Sequence, residues 1–284
     1  MFDDDTLAII QDILPRKSLL KRKAAGKKID YQLIAANIDI AIIMQALDSN
    51  FNIRRLERYL VIINDNNITP LILLSKSDLI SPEETEEKKK QILEILPDAK
   101  IFSFSNNSLN DIENIKTIFT RHKTYCLLGS SGVGKTTLLN NLIHQDLYKT
   151  QPIREKDDRG KHTTTRRELI ILENEAIIID NPGMRELGII SNESGISSTF
   201  GEIDELSDQC KYKDCTHTVE AGCAVLEALE RGEISRERYE NFLKLYKESK
   251  YNEMSYVEKR QKDKKFGRFF HSTMKDVKKM KGRE

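Results

Sequence analysis

The sequence predicts an α/β protein, a parallel sheet with helices on both faces, followed by a helical segment built around a Cys/His cluster. Three observations predict it. Short apolar runs alternate with helix-period segments from residue 38 to residue 143. A glycine-rich loop joins one apolar run to one helix-like run, as phosphate-binding loops do. After about Asn192 the strand pattern stops, and three Cys and one His fall between residues 210 and 223.

The elements follow in order. Ile38–Met44 reads as a buried strand. Ile53, Leu56, Leu60 and Ile63 lie on one helical face. Pro70–Leu74 is a second strand. Ser81, Pro82 and Glu83 give an N-cap, a first-turn proline and an acid at the helix start, and the helix runs to about Leu96, before Pro97. Lys100–Phe104 is a third strand, and Leu109, Ile112 and Ile115 outline a third helix. Tyr125–Leu128 is a fourth strand, with a helix over Thr137–Ile143. Ile170–Leu172 and Ala176–Ile179 bracket a tight turn and read as a hairpin. Ligands of such sheets gather at the carboxyl ends of the strands, so the loops after each strand are where chemistry is expected.

Composition narrows the class. The chain has 284 residues, which at about 150 per domain suggests roughly two domains. Forty-six Lys and Arg meet 45 Asp and Glu, a net charge of +1 that excludes a uniformly basic nucleic-acid coat. The balance is uneven: residues 254–284 hold 11 basic and 4 acidic residues, so this tail carries +7 and the rest −6. No apolar run approaches the 18 or so residues of a membrane span. Asp3, Asp4 and Asp5 stand where a signal peptide needs positive charge. The expectation is a cytoplasmic protein with reduced thiols.

Gly129, Ser130, Ser131, Gly132, Val133, Gly134, Lys135 and Thr136 fit G-x-x-x-x-G-K-[ST] between a strand and a helix. Backbone N–H groups of such a loop curl around phosphates. Lys135 is expected to reach the β and γ phosphates, and Thr136, followed by Thr137, to offer its hydroxyl to Mg²⁺. A glycine-rich turn without ligand is the plainer alternative. Asp180-Asn181-Pro182-Gly183 ends the strand Ala176–Ile179 and has the D-x-x-G form of a γ-phosphate sensor, with Asp180 on Mg²⁺ through water and the Gly183 N–H on the phosphate. Between the two motifs, Thr163, Thr164 and Thr165 are candidates to complete the Mg²⁺ shell.

Ser75-Lys76-Ser77-Asp78, after the strand Pro70–Leu74, is close to the N-K-x-D box that selects guanine. Asp78 would accept from the base N1–H and 2-amino group, donors that adenine lacks. The Lys76 stem would lie across the base. Ser replaces Asn at the first position, which predicts weaker bracing of the loop. Ser105 and Asn106 sit where a backbone N–H meets the guanine oxygen. The chain order is base box, second base loop, phosphate loop, Thr loop, D-x-x-G. Most GTPases place the phosphate loop first. Each loop needs only its own strand, so a circularly permuted P-loop GTPase domain over about residues 35–190 follows.

Cys210, Cys215, His217 and Cys223 form C-x4-C-x-H-x5-C, three thiolates and an imidazole suited to a closed tetrahedral zinc site. No coordination position is left open, so the zinc is read as structural. Free cysteines or a disulfide are the alternatives. Cys126, on a strand, reads as core.

The chain resembles the ribosome small-subunit-dependent GTPase family (RsgA, YjeQ or EngC). The resemblance is carried by Pro15–Leu20, Ala35–Asp39, the permuted boxes, Arg159–Thr164 and the Cys/His cluster, and covers about residues 10–270. It implies hydrolysis of GTP to GDP, stimulation by the small ribosomal subunit, and a role in late subunit maturation, with GTP/GDP, Mg²⁺ and Zn²⁺ as cofactors. Met184 follows the D-x-x-G motif where many GTPases carry a water-orienting Gln. His162 is therefore the catalytic candidate beside Lys135 and Thr136, with Arg159 adding charge from the same loop. The basic tail, interleaved with Phe266, Phe269 and Phe270, suits contact with rRNA.

The resemblance divides the chain into residues 1–34, a remnant of an N-terminal OB-fold domain with one or two strands and a linker. The GTPase domain spans 35–190, a helical zinc-binding subdomain 191–253, and the basic tail 254–284. A monomer without membrane association is expected. An rRNA-binding zinc module with a slow or inactive guanine-nucleotide switch is the alternative, and a P-loop ATPase or kinase a third.

Overall fold

The structure, a computed structural model, describes residues 10–23, 31–143, 168–180, 193–262 and 264. β1 (Leu19–Lys23) and β2 (Tyr31–Ala36) pair antiparallel ahead of the main sheet. The sheet is built from β3 (Ile40–Ala46), β4 (Thr69–Ser75), β5 (Ile101–Ser103), β6 (Thr124–Gly129), β7 (Glu168–Ile171) and β8 (Ile177–Asp180). Its spatial order is β5-β4-β3-β6-β8-β7, parallel throughout except for β7, which runs against β8 as the predicted hairpin.

The central strands are apolar on both sides because both sides are covered. Ala41 and Ile43 of β3, Ile72 and Leu74 of β4, and Cys126 and Leu128 of β6 enter one core. The alternate residues, Ile42 and Met44, Leu71 and Leu73, Tyr125 and Leu127, enter the other. Cys126 is fully buried, as its place on a strand predicts.

α1 (Ile53–Asn64) starts at Asn52, whose side chain accepts from the Arg55 N–H at 3.0 Å. α2 (Pro82–Ile95) has the predicted start in full: Ser81 Oγ accepts from the Glu84 N–H at 3.2 Å, and the Glu84 carboxylate accepts from the Ser81 N–H at 3.0 Å. α3 (Leu109–Lys116) and α4 (Lys135–Ile143) lie on the opposite face, burying Ile112, Ile115, Leu138, Leu139 and Leu142. One residue of the predicted face differs. Leu109 is 85% exposed, because it opens the first turn, before the helix meets the sheet.

α5 (Glu193–Thr199), α6 (Gly201–Ser207), α7 (Ala224–Glu230) and α8 (Arg236–Glu253) follow the last strand. Among the described residues they have no separate core. Ile196, Phe200, Ile203, Val225, Phe242 and Leu245 join the same cluster as α1, and so do Leu20 of β1 and Ile34 of β2.

A buried charge cluster joins α1 to α6 and α8. Glu57 of α1 is fully buried and accepts from Arg54, from Asn241 and, at 2.8 Å, from Arg238 Nη1. Arg238 also donates to Glu202 of α6 and to the Thr199 carbonyl at 2.7 Å, and lies over the Phe200 ring. Beside it Arg58 and Glu248 pair through two bonds of 2.7 Å. A buried pair is costly to break from one side, since the remaining charge loses its partner without regaining water. Glu57→Ala is expected to lower stability by about 3 kcal/mol or more. In urea unfolding the double variant Glu57→Leu/Arg238→Met should lie nearer the parent protein than the single one does.

Candidate functional site

Of the predicted loops, those holding Ser75–Asp78, Ser105–Asn106 and Gly129–Thr136 meet at the carboxyl edge of the sheet. The loop Gly129–Thr136 joins β6 to α4, and its shape demands glycine at two points. A Cβ on Gly129 would stand 2.5 Å from the Met44 carbonyl oxygen of β3, so no side chain fits where the loop leaves the sheet. Gly134 has φ +91°, and a Cβ there would meet Asn106 Nδ2 at 2.7 Å.

Ser75 is fully buried at the end of β4, and its hydroxyl donates to the Val133 carbonyl at 2.6 Å, with the Gln45 carbonyl at 3.2 Å. Ser in place of Asn still ties the end of β4 to the phosphate loop, through a single hydroxyl. Asn106 Nδ2 donates to the Gly134 carbonyl at 3.3 Å, and Asn141 Nδ2 of α4 donates to the Asn106 carbonyl at 3.0 Å. Both predicted base loops are thus tied to the phosphate loop. The Ser105 N–H is engaged by Asp111 Oδ2 at 2.7 Å, which leaves the Asn106 N–H as the candidate donor to a base oxygen.

Lys76 adopts a left-handed backbone, φ 60° and ψ 38°, and pairs with Asp48 at 2.8 Å. Asp78 is exposed on the 3₁₀ turn Ser77–Leu79. Sequence reasoning missed Asp48, Asp111 and Asn141. Their only local signal is a short polar residue near a strand or helix end.

Lys135 Nζ donates to the carbonyls of Gly129 and Ser130, both at 2.8 Å. Burial pushes its pKa down to about 8, with the Asp180 carboxylate pulling the other way. Asp180 is buried at the end of β8. Ser131 and Gly132 are exposed on the loop, Val133 is buried beneath it, and Thr136 and Thr137 are half-buried in the first turn of α4. Arg159, His162, Thr163, Thr164, Thr165, Gly183 and Met184 lie outside the described residues.

The second cluster is complete. One ligand atom from each of Cys210, Cys215, His217 and Cys223 lies within 4.8 Å of the others. The Cys210 and Cys223 sulfurs are 3.8 Å apart, and His217 Nδ1 stands 3.6 and 3.4 Å from them. Metal–sulfur bonds of about 2.3 Å and metal–nitrogen bonds of about 2.0 Å in a tetrahedron give edges of about 3.8 and 3.5 Å, so the donor set fits zinc.

Burial, together with the neighbouring Cys215 and Cys210 thiols, pushes Cys223 up to about 12. A bound cation would offset that burial and favour the Cys223 thiolate. His217 Nε2 faces Ser207 Oγ at 3.2 Å, and its carbonyl accepts from the Tyr239 hydroxyl at 2.6 Å. The Glu220 carboxylate accepts from the Thr216 hydroxyl and from the N–H groups of Thr216, Thr218 and Val219. These bonds hold its pKa well below the usual carboxylate range and brace the loop around His217.

A family model described as RsgA GTPase matches residues 13–190. The chain belongs to the RsgA GTPase family. As a member it is a hydrolase acting on GTP. It is 38% identical over 267 residues to the small ribosomal subunit biogenesis GTPase RsgA 2 of Vibrio parahaemolyticus, covering 94% of this chain and 74% of that protein. It is 43% identical over 245 residues to the protein of the same name from Listeria monocytogenes, covering 86% and 70%.

Among solved structures it is similar to YloQ, described as a circularly permuted GTPase, with TM-score 0.56 and 27% identity over 77% of this chain and 70% of that one. It is also similar to YjeQ from Thermotoga maritima, with TM-score 0.59 and 26% identity over 84% and 77%. The circular permutation expected from the motif order agrees with the description of YloQ.

The depressed Lys135 pKa has a measurable consequence. An anionic phosphate favours the charged lysine, so binding takes up a proton where the free site has lost it, above about pH 8. GDP affinity should fall about tenfold between pH 7 and pH 9, read by calorimetry in buffers of different ionisation enthalpy. Stability should move oppositely. The unfolded lysine keeps its proton up to 10.5 and the folded one only to about 8, so Lys135 contributes stability that rises with pH through this window.

Proposed function

We propose that this chain is a GTPase stimulated by the small ribosomal subunit and acts in late maturation of that subunit. The observation that carries the reading is the convergence of two base loops on one phosphate loop, tied by the Ser75–Val133 and Asn106–Gly134 hydrogen bonds. The names of its relatives supply the partner, since the two cited above are small ribosomal subunit biogenesis GTPases.

In this reading Gly129–Thr136 cradle the phosphates. Lys135 exchanges the loop carbonyls for the β and γ oxygens, and Thr136 and Asp180 would hold Mg²⁺. There Mg²⁺ would supply neutralisation of the phosphate charge. Thr137 supports the first turn of α4, Thr164 or Thr165 would be a further Mg²⁺ ligand, and the Gly183 N–H would meet the γ phosphate. Asp78 reads guanine, and Ser75, Lys76, Ser105 and Asn106 shape its pocket. Met184 cannot orient water, so unaided turnover is slow. His162 takes that role when a partner surface brings it into line, so nucleotide state is coupled to partner affinity.

Cys210, Cys215, His217 and Cys223 would hold a structural zinc, whose bonds would join the turn before α7 to the segment after α6. In this reading 35–190 is the GTPase domain, 191–253 the zinc subdomain and 254–284 the rRNA-contacting tail. The protein works as a cytoplasmic monomer. Among the described residues no helix is long and apolar enough to cross a membrane.

The test is hydrolysis of GTP and of ATP with and without purified small ribosomal subunits. GTP-specific turnover rising many-fold with subunits is expected. His162→Ala should reduce the stimulated rate by about a hundredfold and leave GDP affinity within about twofold. Guanine binding without stimulation would favour the rRNA-binding switch instead. Equal use of ATP would favour the third reading.

A further inference from the structure

We infer that Asp48 is a positioning residue for the base pocket, holding Lys76 in the conformation in which the lysine covers a purine. The inference rests on the reading of Ser75–Asp78 as the base loop. Lys76 is the residue at which β4 leaves the sheet, and it sits in the left-handed region, φ 60° and ψ 38°, that residues with a Cβ rarely use. Such a conformation persists where its surroundings fix it.

Two contacts do so. On the backbone side, the next residue, Ser77, donates its N–H to the Phe104 carbonyl at 3.2 Å. On the side-chain side, Lys76 Nζ is 2.8 Å from Asp48 Oδ2, beyond the end of the neighbouring strand β3. The other Asp48 oxygen accepts from the Asn50 N–H at 2.8 Å, and the Phe51 N–H closes the turn on the Asp48 carbonyl at 3.0 Å, so the carboxylate is itself oriented. The side chains are 20% and 19% exposed, which shields the pair more than an open surface pair. Burial works to raise the Asp48 carboxyl, yet the Lys76 ammonium and the Asn50 N–H take it below its ordinary value.

The consequence is preorganisation. An untethered surface lysine samples many rotamers and must be ordered when a base arrives. Lys76 is anchored at both ends before the base arrives, so less binding energy goes into ordering it. The effect should fall on the base and not on the phosphates, which are held by a separate loop.

Asp48→Asn isolates the charge, because the amide oxygen still accepts from the Asn50 N–H. The experiment compares the full-length protein with Asp48→Asn, Lys76→Met and the double variant, titrated with GDP and with inorganic pyrophosphate. Asp48→Asn should weaken GDP about tenfold and pyrophosphate by less than about twofold. In the Lys76→Met background it should weaken GDP no further, which a merely structural role would not produce. The inference is overturned if Lys76→Met weakens GDP while Asp48→Asn does not. It is equally overturned if Asp48→Asn costs as much with Met at position 76, or weakens pyrophosphate as much as GDP. If Lys76→Met leaves GDP affinity unchanged, the base-loop reading itself fails, and the inference with it.

Discussion

Strands β3 and β6 pair in parallel at the centre of the sheet, from Ile40 opposite Tyr125 to Met44 opposite Gly129, and this pairing joins two halves of one site. On one side β3, β4 and β5 carry the base loops. On the other β6, β8 and β7 carry the phosphate loop and Asp180. The last pair in the register brings the Met44 carbonyl against Gly129, where any side chain would collide. The loop therefore leaves the sheet at one fixed point, within reach of Ser75 and Asn106. Chain order is free to vary because each loop depends only on the strand it follows. The spatial order of the strands cannot vary without separating base from phosphate.

The side of the sheet bearing α1 extends this constraint outward. Glu57, Arg58 and Arg238 join α1 to α6 and α8, and Phe200, Phe242 and Leu245 share its core. The Cys/His cluster hangs from the same helices through Ser207 and Tyr239. A metal at the cluster and a nucleotide at the sheet edge would act on one packed body, with α1 between them. The buried charges make that packing specific: a slip of α8 along α1 would leave Glu57 or Arg238 without its partner, at a cost that apolar contacts alone would not impose.

Much of this was legible in the sequence because its signals are local. The capping box at Ser81–Glu84, the glycine pattern of the phosphate loop and the spacing of the four metal-type ligands each need only a few neighbouring residues. The permuted order was legible as well, since it is an order of local motifs. The contacts that make the loops one site were not. Ser75 to Val133 spans 58 residues and Arg238 to Glu57 spans 181, and no sequence period encodes either. Asp48 was invisible for the same reason: an aspartate after a strand is ordinary until Lys76 is placed beside it. Leu109 misled because its spacing matches the helix face while its position precedes the packed turn.

The central claim is that two halves of the chain form a single guanine-nucleotide site. A crystal structure of the protein with GDP and Mg²⁺ tests it most directly. The account predicts the diphosphate within Gly129–Thr136, the guanine edge against Asp78, and Lys76 over the base with its ammonium still on Asp48. A diphosphate in that loop with the base directed away from Ser75–Asp78 would contradict it.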